Sequence, residues 1–142
     1  MAGESPFLKY SGCVAAANYW NPASALYGHY GSGQFLGVQI TSARTVTVVS
    51  ATGAEIFGIL QNTPAAGQAA DVAFSGISKA VAGGAWSLAT ASYPLMTDTH
   101  GRLVAWVAGA GNFQVAEAID APGAADTIGT VRIFNPPFKV VT

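Results

Sequence analysis

Apolar positions along this chain fall in short runs of about six residues, separated by turns that carry Gly, Pro or Asn, which is the spacing of strands and not of helices. Phe35 to Ile40 is one apolar run. Arg44 to Ser50 alternates, with Val46 and Val48 on one face and Thr45, Thr47 and Val49 on the other. β-Branched density of this kind favours a pleated sheet. Ala51-Thr52-Gly53-Ala54 reads as a turn, Glu55–Gln61 as a strand, and Asn62-Thr63-Pro64-Ala65-Ala66-Gly67 as a loop. Proline fixes φ in that loop and glycine permits a left-handed residue. Strands are predicted at Ala69–Phe74, Ile77–Val81, Trp86–Thr90, Tyr93–Thr97, Arg102–Val107, Phe113–Ile119 and Thr127–Phe134, with Asn135-Pro136-Pro137 ending the sheet. Pro94 belongs at an edge or a strand start. In Phe113–Ile119 the odd positions Phe113, Val115 and Ile119 are expected to share a face, interrupted by Glu117. Pro64–Ala70 is too short, and too interrupted by Gly67, for more than a single helical turn. Regularly spaced short strands predict an all-β sandwich or barrel.

The stretch Phe57–Gly76 (strand, Pro/Gly loop, strand) has an echo at Val115–Phe134. With Pro64 set over Pro122, Phe57–Asn62 lies over Val115–Asp120. After a one-residue shift, Asp71–Phe74 lies over Thr130–Ile133. Two similar units in one domain suggest a pseudo-symmetric sheet. At 142 residues the chain is expected to be a single domain. Its parts are an extended N-terminal arm over 1–12, an aromatic, loop-rich segment over 13–43, and a β core over 44–137.

Composition changes the picture in one respect. Apolar residues make up 51% of the chain and charged residues 9%, against roughly 25% charged in ordinary globular domains. So few charges imply that part of the surface is covered by further copies or by a partner. Tyr10–Ala43 holds no Asp, Glu, Lys or Arg. In and just before it lie Phe7, Tyr10, Tyr19, Trp20, Tyr27, Tyr30 and Phe35. Phe7, Tyr10, Tyr19, Trp20, Tyr27 and Tyr30 are the candidate interface residues, because tyrosine and tryptophan combine large apolar area with a polar tip. The same residues also suit a core.

The six basic residues are scattered, which argues against nucleic-acid binding. No apolar run approaches the ~20 residues of a membrane helix, and neither a basic leader nor an apolar leader core opens the chain, so it is expected to be made in a cytoplasm and left unprocessed. Cys13 is the single cysteine and reads as a small buried hydrophobe. The chain holds no Gly-x-Ser-x-Gly elbow, His-Glu-x-x-His, phosphate loop or calcium loop. Asp98 and His100 share one turn and read as turn formers in preference to metal ligands. Glu117, Asp120 and Asp126 read as solvated loop carboxylates, and His29 as a packed or interfacial histidine. No catalytic residue, metal or cofactor is expected.

Phe57-Gly58-Ile59-Leu60-Gln61-Asn62 with Pro64-Ala65-Ala66-Gly67, then Ser75-Gly76-Ile77-Ser78-Lys79 and Val81-Ala82-Gly83-Gly84, resembles the head decoration (capsid cement) proteins of tailed bacteriophages. Asp98-Thr99-His100-Gly101-Arg102, Val115-Ala116-Glu117-Ala118 and Val131–Pro137 follow the same pattern in order, so the resemblance covers about Val46–Pro137. Tyr10–Ala43 is richer in aromatics than that pattern. The resemblance implies a small single-domain β-barrel or sandwich of β-tulip-like form, with an irregular N-terminal arm. It also implies a homotrimer on the outer face of a mature capsid that clamps neighbouring major capsid subunits, with no nucleic-acid or membrane partner. The alternative reading is a carbohydrate- or receptor-binding β module in which Trp20, Tyr27 and Tyr30 stack on sugar rings.

Overall fold

Nine strands and no helix occur among the described residues of the computed structural model, which are 7–19, 33–88, 92–109 and 111–139. They are β1 (Phe7–Ala15), β2 (Gly37–Ser42), β3 (Thr45–Val48), β4 (Gly58–Leu60), β5 (Ala69–Val81), β6 (Pro94–Thr97), β7 (Leu103–Ala105), β8 (Phe113–Ala118) and β9 (Ile128–Lys139). The all-β expectation holds. The sheet order is β1-β3-β2-β4-β5-β9-β8-β6-β7, and β1 also pairs with β5. That extra pairing closes β1, β3, β2, β4 and β5 into a five-stranded barrel, with the other strands outside it.

Those outer strands repeat the barrel's plan. β5 is long enough to serve twice: its first half is the last strand of unit one, and its second half is the first strand of unit two, followed by β7, β6, β8 and β9. The registers coincide. Val38↔Val48 and Gly37↔Ile59 in unit one match Leu95↔Ala105 and Pro94↔Glu117 in unit two. Leu60↔Val72 and Cys13↔Ala70 match Ala118↔Val131 and Ala80↔Gly129. The parallel pair Ala15↔Val46 matches the single bridge Ala82↔Leu103, which is all that closes unit two.

The turns repeat as well. Asp71 N donates to Asn62 Oδ1 at 3.0 Å, and Thr130 N to Asp120 Oδ1 at 2.8 Å. Tyr19 N donates to Pro64 O and Trp86 N to Pro122 O. Left-handed backbone recurs at Arg44 and Gly101, Gly53 and Gly111, and Gly67 and Asp126. The echo between Phe57–Gly76 and Val115–Phe134 is therefore one part of a duplication that spans both units.

Each unit has its own core. Cys13, Ala15, Tyr19, Val38, Val46, Leu60 and Val72 fill the first, and their counterparts Ala80, Ala82, Trp86, Leu95, Leu103, Ala118 and Val131 fill the second. Both large aromatics reach the same carbonyl position: Tyr19 Oη donates to Val46 O at 3.4 Å, and Trp86 Nε1 to Leu103 O at 2.9 Å. Side-chain volume trades between copies. The bulkier Trp86 faces Gly129, where a Cβ would collide with its ring, whereas Tyr19 sits in a core that holds Ala70 at the matching position.

Several expected boundaries move. The extended arm expected over 1–12 is a sheet strand from Phe7 onward, and the apolar run at Phe35–Ile40 leads into β2 within the segment expected to be loop-rich, so the β core begins at Phe7. Ile77–Val81 is no separate strand, because Gly76, at φ 98°, lets β5 bend and continue. Ala85–Leu88 is not strand, because Trp86 instead anchors the chain across unit two. Val49 is buried despite its phase, as β3 has ended by then. The register break between Gln114 and Ala116 lies on β9, whose pairing steps from Phe138 to Ile133, and β8 is covered on both faces: Val115 is buried with Ala116 and Ala118, and Ile119 is exposed. The sheet does not stop at Asn135: β9 runs through a cis Asn135–Pro136 bond, and Phe138 and Lys139 pair with Gln114 and Phe113.

Candidate functional site

Unit one carries an aromatic groove on its outer face. Tyr10 on β1 meets Phe57 edge-on, with centroids 6.2 Å apart, and Phe57 lies 6.1 Å from Phe74 on β5. Beside them opens a cavity of about 490 Å³ lined by Gln39 and Ile40 of β2, Glu55–Phe57 before β4, Phe74, and Asn135–Pro137 of β9. These side chains converge because β5 is bonded to β4 on one side and β9 on another, which brings Phe74 between Phe57 and the proline pair. Ile40 and Tyr10 are 44% and 40% exposed, so apolar area here stays open to water. Among the described residues Glu55 is the single charged one in the lining, and its carbonyl accepts a bond from Gln39 Nε2. No nucleophile and base converge in this lining. What it offers is van der Waals contact and a few carboxamides.

The predicted interface residues are not gathered together. Tyr10 forms the groove's rim through Phe57. Tyr19 is 1% exposed, its hydroxyl accepting from Val48 N at 3.2 Å, so it belongs to the core of unit one and not to an outer surface. Its counterpart Trp86 is buried in the core of unit two in the same way. The Phe7 backbone pairs with Gly76. Trp20, Tyr27, Tyr30 and His29 lie outside the described residues. Phe57, Phe74 and Ile40 are the groove residues that sequence reasoning missed. The signal lay in the echo, where aromatic Phe57 and Phe74 stand over aliphatic Val115 and Ile133.

The ion-paired groups sit outside the groove lining and serve structure. Arg102, 14% exposed, joins Asp98 at 2.8 Å to Asp126 at 2.9 Å. Burial pulls its guanidinium down, but the bonds to Asp126 and Asp98 outweigh that, and the net shift is upward. Asp98 Oδ1 also accepts from the amides of His100 and Arg102, which is the work of a turn former. Glu117 is on β8 and not in a loop. Its bond from Arg132, 2.7 Å long, holds its carboxyl below the usual range despite partial burial, helped by Ser92. Asp120 caps the β8–β9 turn through Thr130 N. Burial pushes the Cys13 thiol up, partly countered by Arg44. Among the described residues no three His, Cys, Asp or Glu side chains gather as a metal site would require. No protein-family model and no curated protein matches the chain.

Proposed function

We propose that this chain is a structural virion protein that binds the outer surface of a mature tailed-phage capsid as a homotrimer and clamps neighbouring major capsid subunits. It carries no catalytic role. The observation that carries this reading is a charge-poor surface with apolar side chains on display along the barrel of unit one: Leu8 at 61%, Tyr10 at 40% and Val14 at 37% on β1, with Ile40 beside the groove. Trimerisation and capsid contact would cover such area and shield strand edges that lack guarding charges. Three modest contacts per trimer add through effective concentration, so no single contact has to be strong. The domain architecture suits a clamp, because a closed barrel and a second unit that share β5 cannot separate without breaking that strand's pairings. Purified protein mixed with expanded heads stripped of their decoration should co-sediment with them. A chain that stays in the supernatant and is monomeric by light scattering would overturn the proposal.

A further inference from the structure

The duplication indicates what the aromatic groove holds. Inside the molecule, the segment between β3 and β4 of unit one is laid over one face of unit two. Gly53 N donates to Thr97 O, and Thr97 Oγ1 bonds Ala51 O and Ala54 N. The side chains of Ile56 and Thr97 come together beside Gly37. Val49 and Ile56 are thereby buried in the core of unit two, and Met96, Thr97, Val115 and Ile133 beneath them are buried too.

In unit one the positions matching Met96, Thr97, Val115 and Ile133 are Gln39, Ile40, Phe57 and Phe74. These are the groove. The face that is covered in unit two is thus open in unit one, and it is more aromatic there. The covering segment has its own counterpart between β7 and β8, where Trp106 N donates to Pro94 O as Val49 N does to Gly37 O, and Gly111 repeats the left-handed Gly53. Trp106 and Gln114, matching Val49 and Ile56, are half-exposed, and Val107 beside them is 58% exposed. From Leu103 to Ala116 this part of the chain carries no charge.

We propose that the occupant of the groove is the β7–β8 segment of a second copy of this chain, which repeats between molecules the contact made once within each. Such a contact is head-to-tail: every copy uses its groove on one side and its segment on the other, and the set closes as a ring where the rotation from copy to copy divides a full turn. Glu117 and Arg132 stand where unit one has Ile59 and Ala73, so the contact between copies is shallower than the internal one and confined to the loop and groove. Closure at three copies rests on the trimer proposed above; the choice of faces does not.

Gln114→Arg damages the segment and Ile40→Arg the groove. Each variant alone should lose the wild-type oligomer by light scattering, and an equimolar mixture should recover a 1:1 dimer, since one intact segment still meets one intact groove. A second pair is independent of charge. Ile40→Cys mixed with Gln114→Cys should give a disulfide-linked dimer that neither gives alone, with buried Cys13 staying out of the exchange. Variants that keep the wild-type mass, a mixture that stays monomeric, or cross-linking within either single variant would overturn the assignment. Head co-sedimentation of the wild type separates the two claims. Binding with an unchanged variant mass leaves the capsid reading standing and removes this seam; loss of the oligomer in variants of a chain that never binds heads does the reverse.

Discussion

Exchange of side-chain volume between the two units makes a sharp test of the duplication. A methyl group added at Gly129 collides with the Trp86 ring and presses on Pro122 and Asp120, yet the matching Ala70 in unit one coexists with Tyr19, Pro64 and Asn62. Gly129→Ala alone should therefore destabilise by about 1–3 kcal/mol through overpacking, less the ~0.4–1 kcal/mol by which alanine restricts the unfolded chain. Trp86→Tyr alone removes buried ring volume and should cost roughly 1–2 kcal/mol, a fraction of a full aromatic truncation. Its hydroxyl can still reach the Leu103 carbonyl, as Tyr19 reaches Val46. The double variant rebuilds the arrangement of unit one inside unit two, and should be more stable than the two losses predict by about 1–2 kcal/mol, within the range of coupling between touching residues. Urea denaturation followed by far-UV circular dichroism reads this directly, since Trp86 itself is altered and fluorescence would confuse the comparison. Losses that add to within about 0.5 kcal/mol, or a neutral Gly129→Ala, would show that the volumes of the two units are not matched in this way.

Two further outcomes follow from the charged groups. The carboxyl of Glu117 is depressed in the folded chain, so its contribution is present above the ordinary glutamate pKa of about 4.3 and is lost as pH falls through the lower folded value. Arg132 is half exposed, which limits the loss to about 0.2–1 kcal/mol; thermal melts between about pH 3 and about pH 6 (roughly one to two units either side of that pKa) should show a step that Glu117→Gln abolishes, and an unchanged step would refute the pairing. Asp98→Ala strips two amides and the Arg102 guanidinium of their acceptor and should cost about 2–3 kcal/mol, with Asp98→Asn in between; a urea midpoint unmoved by Asp98→Ala would show that the turn holds without its carboxylate.

Much of the fold is legible in the amino-acid sequence. Valine and threonine alternation marked β3, and Pro/Gly loops marked both hairpins, because turn chemistry and pleat period are local. Errors arose where a distant neighbour decides. Phase in β8 misleads because both of its faces are covered, Val115 as well as Ala116 and Ala118, and Val49 looks solvent-facing until the β3–β4 segment is laid over unit two. The N-terminal residues looked like an arm because nothing local announces that β1 closes a barrel against β5. Tyr19 illustrates the same limit in the candidate site. An aromatic in a charge-free segment suits a core or an interface equally, and only the distant strands it packs against decide between them.

What the amino-acid order determined on its own was the all-β class, the position of its turns and the echo of one hairpin in another, since each depends on residues near one another in the chain. The tertiary structure decided that the echo belongs to a closed barrel and a second unit that repeats its plan and shares β5, and that the second unit has its face covered while the barrel keeps an aromatic groove. Those outcomes depend on which strands meet across long separations, and burial is a property of the assembled surface that no single segment carries.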